Sequence, residues 1–171
     1  LNPGAFTGLN GVLLYGAVYL FTNVGVFLGV TAFEDETGST RISDYAGLIR
    51  RSPYLAALMA YFLFSLTGIP FTGGMWAKLF VFAPAIQAGS FGFLLAAIGI
   101  LTSVVGAFYY MNVVRHMFFL PATEGSALHV STPLQVALAV AAIVTLLIGV
   151  YPQPLVNLAS RSVVMLGFLP F

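Results

Sequence analysis

One ionisable side chain sits where an apolar sequence gives no reason for it. Residues 54–87 read YLAALMAYFLFSLTGIPFTGGMWAKLFVFAPAIQ: two apolar runs meet at Gly68, Pro70, Gly73 and Gly74, and Lys78 lies inside the second run. A charged lysine at the centre of a bilayer costs about 2.5–3.5 kcal/mol on insertion scales. Burial disfavours the ammonium form, so a lysine held in such a segment exchanges its proton nearer to neutral pH than a surface lysine does. Its side chain leans toward the helix N-terminus, which aims the amine back at the Gly-Pro break. Thr67 and Thr72 flank that break with hydroxyls able to bond freed backbone groups. Two readings stay open on the residues alone: a proton relay beside an interrupted helix, or a lysine snorkelling from near a helix end.

The weaker candidates lie further along the chain. Thr102 and Ser103 fall inside an apolar run and are candidates to line a hydrated path, although hydroxyls in helices commonly bond their own backbone. His116, next to Arg115, could pass protons or simply anchor a helix end.

The elements that must position these residues follow from composition. Of 171 residues 60% are hydrophobic and 6% charged, with a net charge of +1 and a mean hydropathy of +1.00. A soluble domain carries roughly 25% charged residues, so the chain is read as an all-α, polytopic transmembrane helix bundle in contact with lipid. The balance of charge points to no nucleic-acid partner. Cysteine is absent, which removes disulfides, thiolate metal sites and iron–sulfur ligation. About four spans are expected, one of them discontinuous: 11–33, 54–87 broken near 68–73, 91–118 and 133–150. Residues 155–169 are expected to form an interfacial helix or tail, with Leu155, Leu158, Val163 and Leu166 on one face and Arg161 opposite. The whole of 1–171 is expected to be a single membrane domain and part of something longer, since it opens Leu-Asn-Pro-Gly without an initiator Met.

As one straight helix, 54–87 would be about 50 Å long, too long for one upright crossing, so the break divides it. Interrupted backbone at membrane depth survives only where protein or a water-filled cavity satisfies it, and such helices recur at ion sites of transporters. Gly25 and Gly29 form a small-xxx-small pair, expected to serve ordinary helix packing. Asn23 is expected to bond a neighbouring helix. Ile42, Tyr45, Leu48 and Ile49 suggest a short amphipathic surface helix within the charged loop 34–53. Arg41, Arg50, Arg51 and Arg115 lie on or beside loops 34–53 and 119–132, which the positive-inside rule places in the cytoplasm.

Ser65-Leu66-Thr67-Gly68-Ile69-Pro70, followed by Gly74-Met75-Trp76-Ala77-Lys78-Leu79-Phe80, resembles the SLxGIPPxxGFxGKxxLF signature of the antiporter-like membrane subunits of respiratory NADH:quinone oxidoreductase, complex I. Asp44-Tyr45-Ala46-Gly47-Leu48, the run YLFTNVGVF over residues 19–27, and Leu101-Thr102-Ser103-Val104-Val105 with Tyr109-Tyr110 resemble its N, or ND2-like, subunits. The resemblance implies a non-redox, proton-translocating subunit of the bacterial inner membrane with Lys78 in the proton path and other membrane subunits as partners. NADH, FMN, iron–sulfur clusters and quinone would be bound elsewhere in the complex, and no cofactor by this chain. Three positions depart from the signature: Phe71 replaces its second proline, and Met75 and Ala77 replace a Phe and a Gly. The lysine is spared, whereas a sister subunit usually has glutamate there. The Mrp-type cation/proton antiporters share the motif, and a purely structural membrane subunit is the remaining alternative.

Overall fold

The computed structural model describes residues 8–122 and 127–165, and every residue placed in a regular element among them is helical. Helix α1 covers Gly8–Thr37, α2 Leu48–Arg51, α3 Pro53–Thr67, α4 Gly73–Gln87, α5 Ser90–Phe119, α6 Thr132–Val150 and α7 Gln153–Met165. A 3-10 turn at Ile42–Tyr45 precedes α2. Three helices, α1, α5 and α6, are long and apolar enough to cross a bilayer. By contrast α3 and α4, with 15 residues each, reach only about 22 Å apiece at 1.5 Å per residue.

The two short helices act in series along one face of α1. The buried positions Gly11, Leu14, Val18, Thr22, Gly25, Gly29 and Ala32 recur every three or four residues, as a single helix stripe must. A Cβ on Gly29 would fall 2.6 Å from Met59 Cγ, and one on Gly25 would fall 2.3 Å from the Phe62 ring, both on α3. Further back along α1, Val18 meets Gly73 and a Cβ on Gly11 would sit 2.2 Å from the Phe80 carbonyl oxygen, both on α4. The order reverses along the partner, so α3 and α4 together form one antiparallel, interrupted track. Gly25 and Gly29 therefore face the chain's own α3, and Asn23 donates to the Tyr19 carbonyl of its own helix at 2.8 Å. Its expected bond to a neighbouring helix is not made among the described residues.

The structure moves several boundaries. α1 begins before 11 and runs on to Thr37, taking the acidic Glu34–Glu36 into its last turn, because an exposed helix end accommodates charge as well as a loop does. The surface helix expected from Ile42 to Ile49 splits in two at Gly47, whose φ of +66° bends the chain where its N–H donates to the His116 carbonyl at 3.0 Å. Tyr45 and Leu48 are buried, the former stacked on Phe33 at 3.9 Å. Burial and the neighbouring Glu34 push the Tyr45 phenol up to about 12. α7 starts at Gln153, and its buried residues are Val156, Ala159 and Val163, while Leu158 is 60% exposed. The apolar face expected through Leu158 is thus rotated, because α7 packs on α1, where Asn10 donates to Ser160 at 3.2 Å. Leu166 and the expected tail to 169 lie outside the described residues.

In the charged loop, Ser39 and Ser43 donate to the Asp44 carboxylate. These bonds, with Ser39 first, hold that carboxyl below its usual range. A depressed carboxyl contributes stability present above its unfolded value and lost as pH falls through the folded one. Amide protection over 39–45, taken relative to the intrinsic exchange rate at each pH, is therefore expected to hold down to about pH 4 and to fall below it. Ser39→Ala should raise the Asp44 titration toward the ordinary value; an unchanged titration would show that the bond contributes nothing.

Candidate functional site

The site forms where α3 stops. Gly68 adopts φ +88°, ψ 32°, and its N–H reaches the Phe64 and Ser65 carbonyls, the left-handed cap that ends many helices. Thr67 donates its hydroxyl to the Phe64 carbonyl at 2.6 Å, and Thr72 donates to the Ile69 carbonyl, also at 2.6 Å. Pro70 is exposed at the corner. Phe71 takes φ +66°, a conformation closed to proline, whose ring locks φ near −65°. The corner built here is thus one that the replaced proline of the signature could not form.

Glycines let the restarted helix approach its neighbours. A Cβ on Gly74 would lie 1.7 Å from the Ser65 carbonyl oxygen, and the Gly74 N–H is accepted by Ser65 Oγ at 3.3 Å. Gly149 of α6 does the same for the corner, with an added Cβ falling 2.5 Å from the Phe71 oxygen. Trp76 then donates its indole N–H to the Gly149 carbonyl at 2.8 Å, tying the first turn of α4 to α6.

Lys78, half-buried, folds back along this junction and its Nζ donates to the Thr67 carbonyl at 2.7 Å. That carbonyl belongs to the last turn of α3, the negative end of the helix dipole, where a cation is favoured. Gly68 leaves room for the stem: a Cβ there would stand 3.0 Å from Lys78 Cδ. Clefts open on both sides of the amine. Toward α1 lies a cavity of about 20 Å³ lined by Lys78, Tyr15, Tyr19, Thr22 and Ser65 among others. Toward α5 lies a cleft of about 350 Å³ whose walls include Lys78, Tyr15, Gly99, Thr102 and Ser103. A further opening joins Lys78 to Thr67 and Ser103.

The structure therefore brings Lys78, Gly68, Gly73, Gly74, Thr67 and Thr72 to one junction and lays Thr102 and Ser103 along an adjoining cleft. Both of the latter donate their protons to the Gly99 carbonyl, at 3.0 and 2.8 Å, leaving their oxygens to accept. His116 is elsewhere. It stands about 20 Å along α5 from Ser103, with Nδ1 2.8 Å from the Asn112 carbonyl. Missing from the sequence reading were Ser65, Thr22, Tyr15 and Tyr19. The available signal was the spacing of Tyr15, Tyr19 and Asn23, polar groups at every fourth residue of an otherwise apolar span.

Apolar membrane-length helices around an interrupted pair, with a lysine capping the interruption, define a polytopic α-helical membrane protein of the antiporter-like kind. The chain belongs to the NADH:quinone oxidoreductase/Mrp antiporter transmembrane family, whose family model matches residues 3–106. It is 42% identical over 164 residues to NADH-quinone oxidoreductase subunit N of Moorella thermoacetica, a match covering 95% of this chain and 34% of that protein. The subunit N of Parvibaculum lavamentivorans is 41% identical over 165 residues, 96% of this chain and again 34% of the relative. The chain thus spans about a third of the length of these relatives. Among solved structures, respiratory complex I from Thermus thermophilus matches with a TM-score of 0.65 and 26% identity, covering 85% of this chain and 34% of that one. The Mrp complex from Dietzia sp. matches with a TM-score of 0.80 over 91% of this chain and 38% of that one; at 19% identity this is a likeness of fold.

Proposed function

We propose that this chain is part of a subunit N of a proton-translocating NADH:quinone oxidoreductase in a bacterial inner membrane, and that Lys78 relays protons through it. The observation that carries the reading is the amine on the Thr67 carbonyl. A proton can be held there as an ammonium capping α3 and released when a better acceptor reaches either adjoining cleft. The other elements have supporting roles: Gly68, Pro70, Gly73 and Gly74 open the backbone, Thr67 and Thr72 satisfy it, and Thr102 and Ser103 offer acceptor oxygens on the α5 side. His116 is too distant to exchange with Lys78 directly. The chain has no cysteine to hold an iron–sulfur cluster, and on this reading NADH, FMN, clusters and quinone all belong to other subunits, with the chain's own part confined to protons. Loops 34–53 and 119–132 would face the cytoplasm. Relatives at 41–42% identity named as subunit N favour this over an Mrp-type cation/proton antiporter, which shares the family and the fold but whose solved complex is 19% identical.

Two substitutions test the role. Lys78→Arg keeps the charge and the donor to Thr67 but cannot deprotonate; Lys78→Ala loses both. In inside-out vesicles carrying the assembled complex, both are expected to slow proton uptake through this subunit by roughly a hundredfold, and only Lys78→Ala to lower the amount of complex. Normal proton-to-electron stoichiometry in Lys78→Arg would leave the lysine a structural cap. Cation/proton exchange without NADH, in a complex lacking redox subunits, would point to the antiporter instead.

A further inference from the structure

We propose that the small cavity between α1 and the α3–α4 junction holds one ordered water that links the Lys78 amine to Tyr15, making Tyr15 a positioning residue for the lysine. A water needs a space of about 10–15 Å³ and two to four polar partners, and this cavity is about 20 Å³. Its lining supplies the partners. Lys78 has three N–H donors and spends one on Thr67. Ser65 Oγ accepts from the Gly74 N–H, which leaves its own proton to donate. Tyr15 makes no hydrogen bond to another described residue; its ring stacks on Tyr19, at 5.7 Å and 16°, and its phenol also lies within electrostatic reach of Tyr110. Thr22 spends its proton on the Val18 carbonyl at 2.7 Å and keeps an oxygen that can accept a further bond from the water.

A water that accepts from Lys78 and Ser65 and donates to the Tyr15 oxygen would make three bonds, the ordinary number for a buried water. None of the acidic residues Glu34, Asp35, Glu36 and Asp44 lines the openings around Lys78, so among the described residues hydroxyls and carbonyls are what the amine is offered. Among the described residues, Tyr15 is the one hydroxyl-bearing residue that lines both the small cavity and the larger α5-side cleft with Lys78. Held by Tyr19, it would fix the amine between the Thr67 carbonyl and the water. The water site stands on this geometry, whereas the functional consequence rests on the proton-relay reading of Lys78.

The test is an experimental density map of the assembled complex, paired with pumping measurements on Tyr15→Phe, which keeps the ring stack and removes the hydroxyl. A water peak within about 2.7–3.2 Å of Lys78 Nζ, Ser65 Oγ and Tyr15 Oη is expected. Tyr15→Phe should lose or displace it, and proton translocation should slow about five- to tenfold, the cost of roughly one hydrogen bond, with uncoupled electron transfer unchanged. Tyr109→Phe, on an exposed part of α5, should pump normally. No peak, or a Tyr15→Phe variant with wild-type pumping, would overturn the proposal. If Lys78→Arg pumps normally the relay reading fails, and the density then decides the water site alone.

Discussion

Gly74→Ala is expected to abolish assembly of the subunit or reduce it to traces. The added methyl would sit 1.7 Å from the Ser65 carbonyl oxygen, and both partners are backbone, so neither can rotate away. Restoring contact at an ordinary distance requires α3 and α4 to separate by more than an ångström in a fully buried place, for Ser65 is 0% exposed. Overpacking of this kind costs about 1–3 kcal/mol or more, and the separation also breaks the Gly74 N–H to Ser65 bond, worth about 1 kcal/mol. The neighbouring glycine is the control. At Gly73 the nearest atom is a Val18 methyl at 3.1 Å, which can give by a few tenths, so Gly73→Ala should assemble near normally. Complex yield from solubilised membranes, read side by side, is the measurement. Equal yields for the two variants would mean that the close crossing of α3 and α4 is not needed for the fold.

This contrast marks what the sequence could and could not say. Composition alone requires a membrane bundle, and the cluster of Gly68, Pro70, Gly73 and Gly74 locates an interruption, because proline and glycine act through local backbone geometry. Which glycine is indispensable is a different question, settled by what lies opposite each in space. Gly73 and Gly74 are adjacent and chemically identical, yet one faces a methyl and the other a carbonyl. The same limit explains Leu158: an apolar residue marks an apolar face only if the neighbouring helix lies there, and α1 lies on the side of Val156 and Val163. Ser65 has no signature of its own, because a hydroxyl in an apolar span carries no mark until the lysine it flanks is placed, and Tyr15 has only its four-residue spacing from Tyr19 and Asn23. His116 is the group of the third span whose ordinary titration lies nearest neutral pH, but sequence distance along a helix already separates it from Ser103 by more than three turns.

A second glycine contrast isolates the lysine from the fold. Gly68, at φ +88° and ψ 32°, holds the left-handed conformation, where an alanine is strained by about 1–2 kcal/mol; Gly89, at φ +95° and ψ −169°, holds one that only glycine adopts readily, where an alanine is strained by about 1–3 kcal/mol. Around Gly89 there is open space, whereas a Cβ on Gly68 would press on the Lys78 stem, 3.0 Å from Cδ and 3.5 Å from both Cε and Nζ. Strain is thus common to the two variants, and displacement of the amine belongs to Gly68→Ala alone. A shift of that stem by a few tenths of an ångström strains the Nζ bond to the Thr67 carbonyl, and part of the about 1.5–3 kcal/mol that a charged donor gains from such a bond is lost. Gly89→Ala should assemble no better than Gly68→Ala, but Gly68→Ala should lose proton translocation about five- to tenfold per assembled complex, as weakening of that bond by about 1 kcal/mol requires. Gly89→Ala should translocate normally once corrected for yield. Vesicle acidification normalised to complex content separates them. If the two variants pump alike, the position of the Lys78 amine at the end of α3 has no bearing on transport, and its bond to Thr67 is a cap and nothing more.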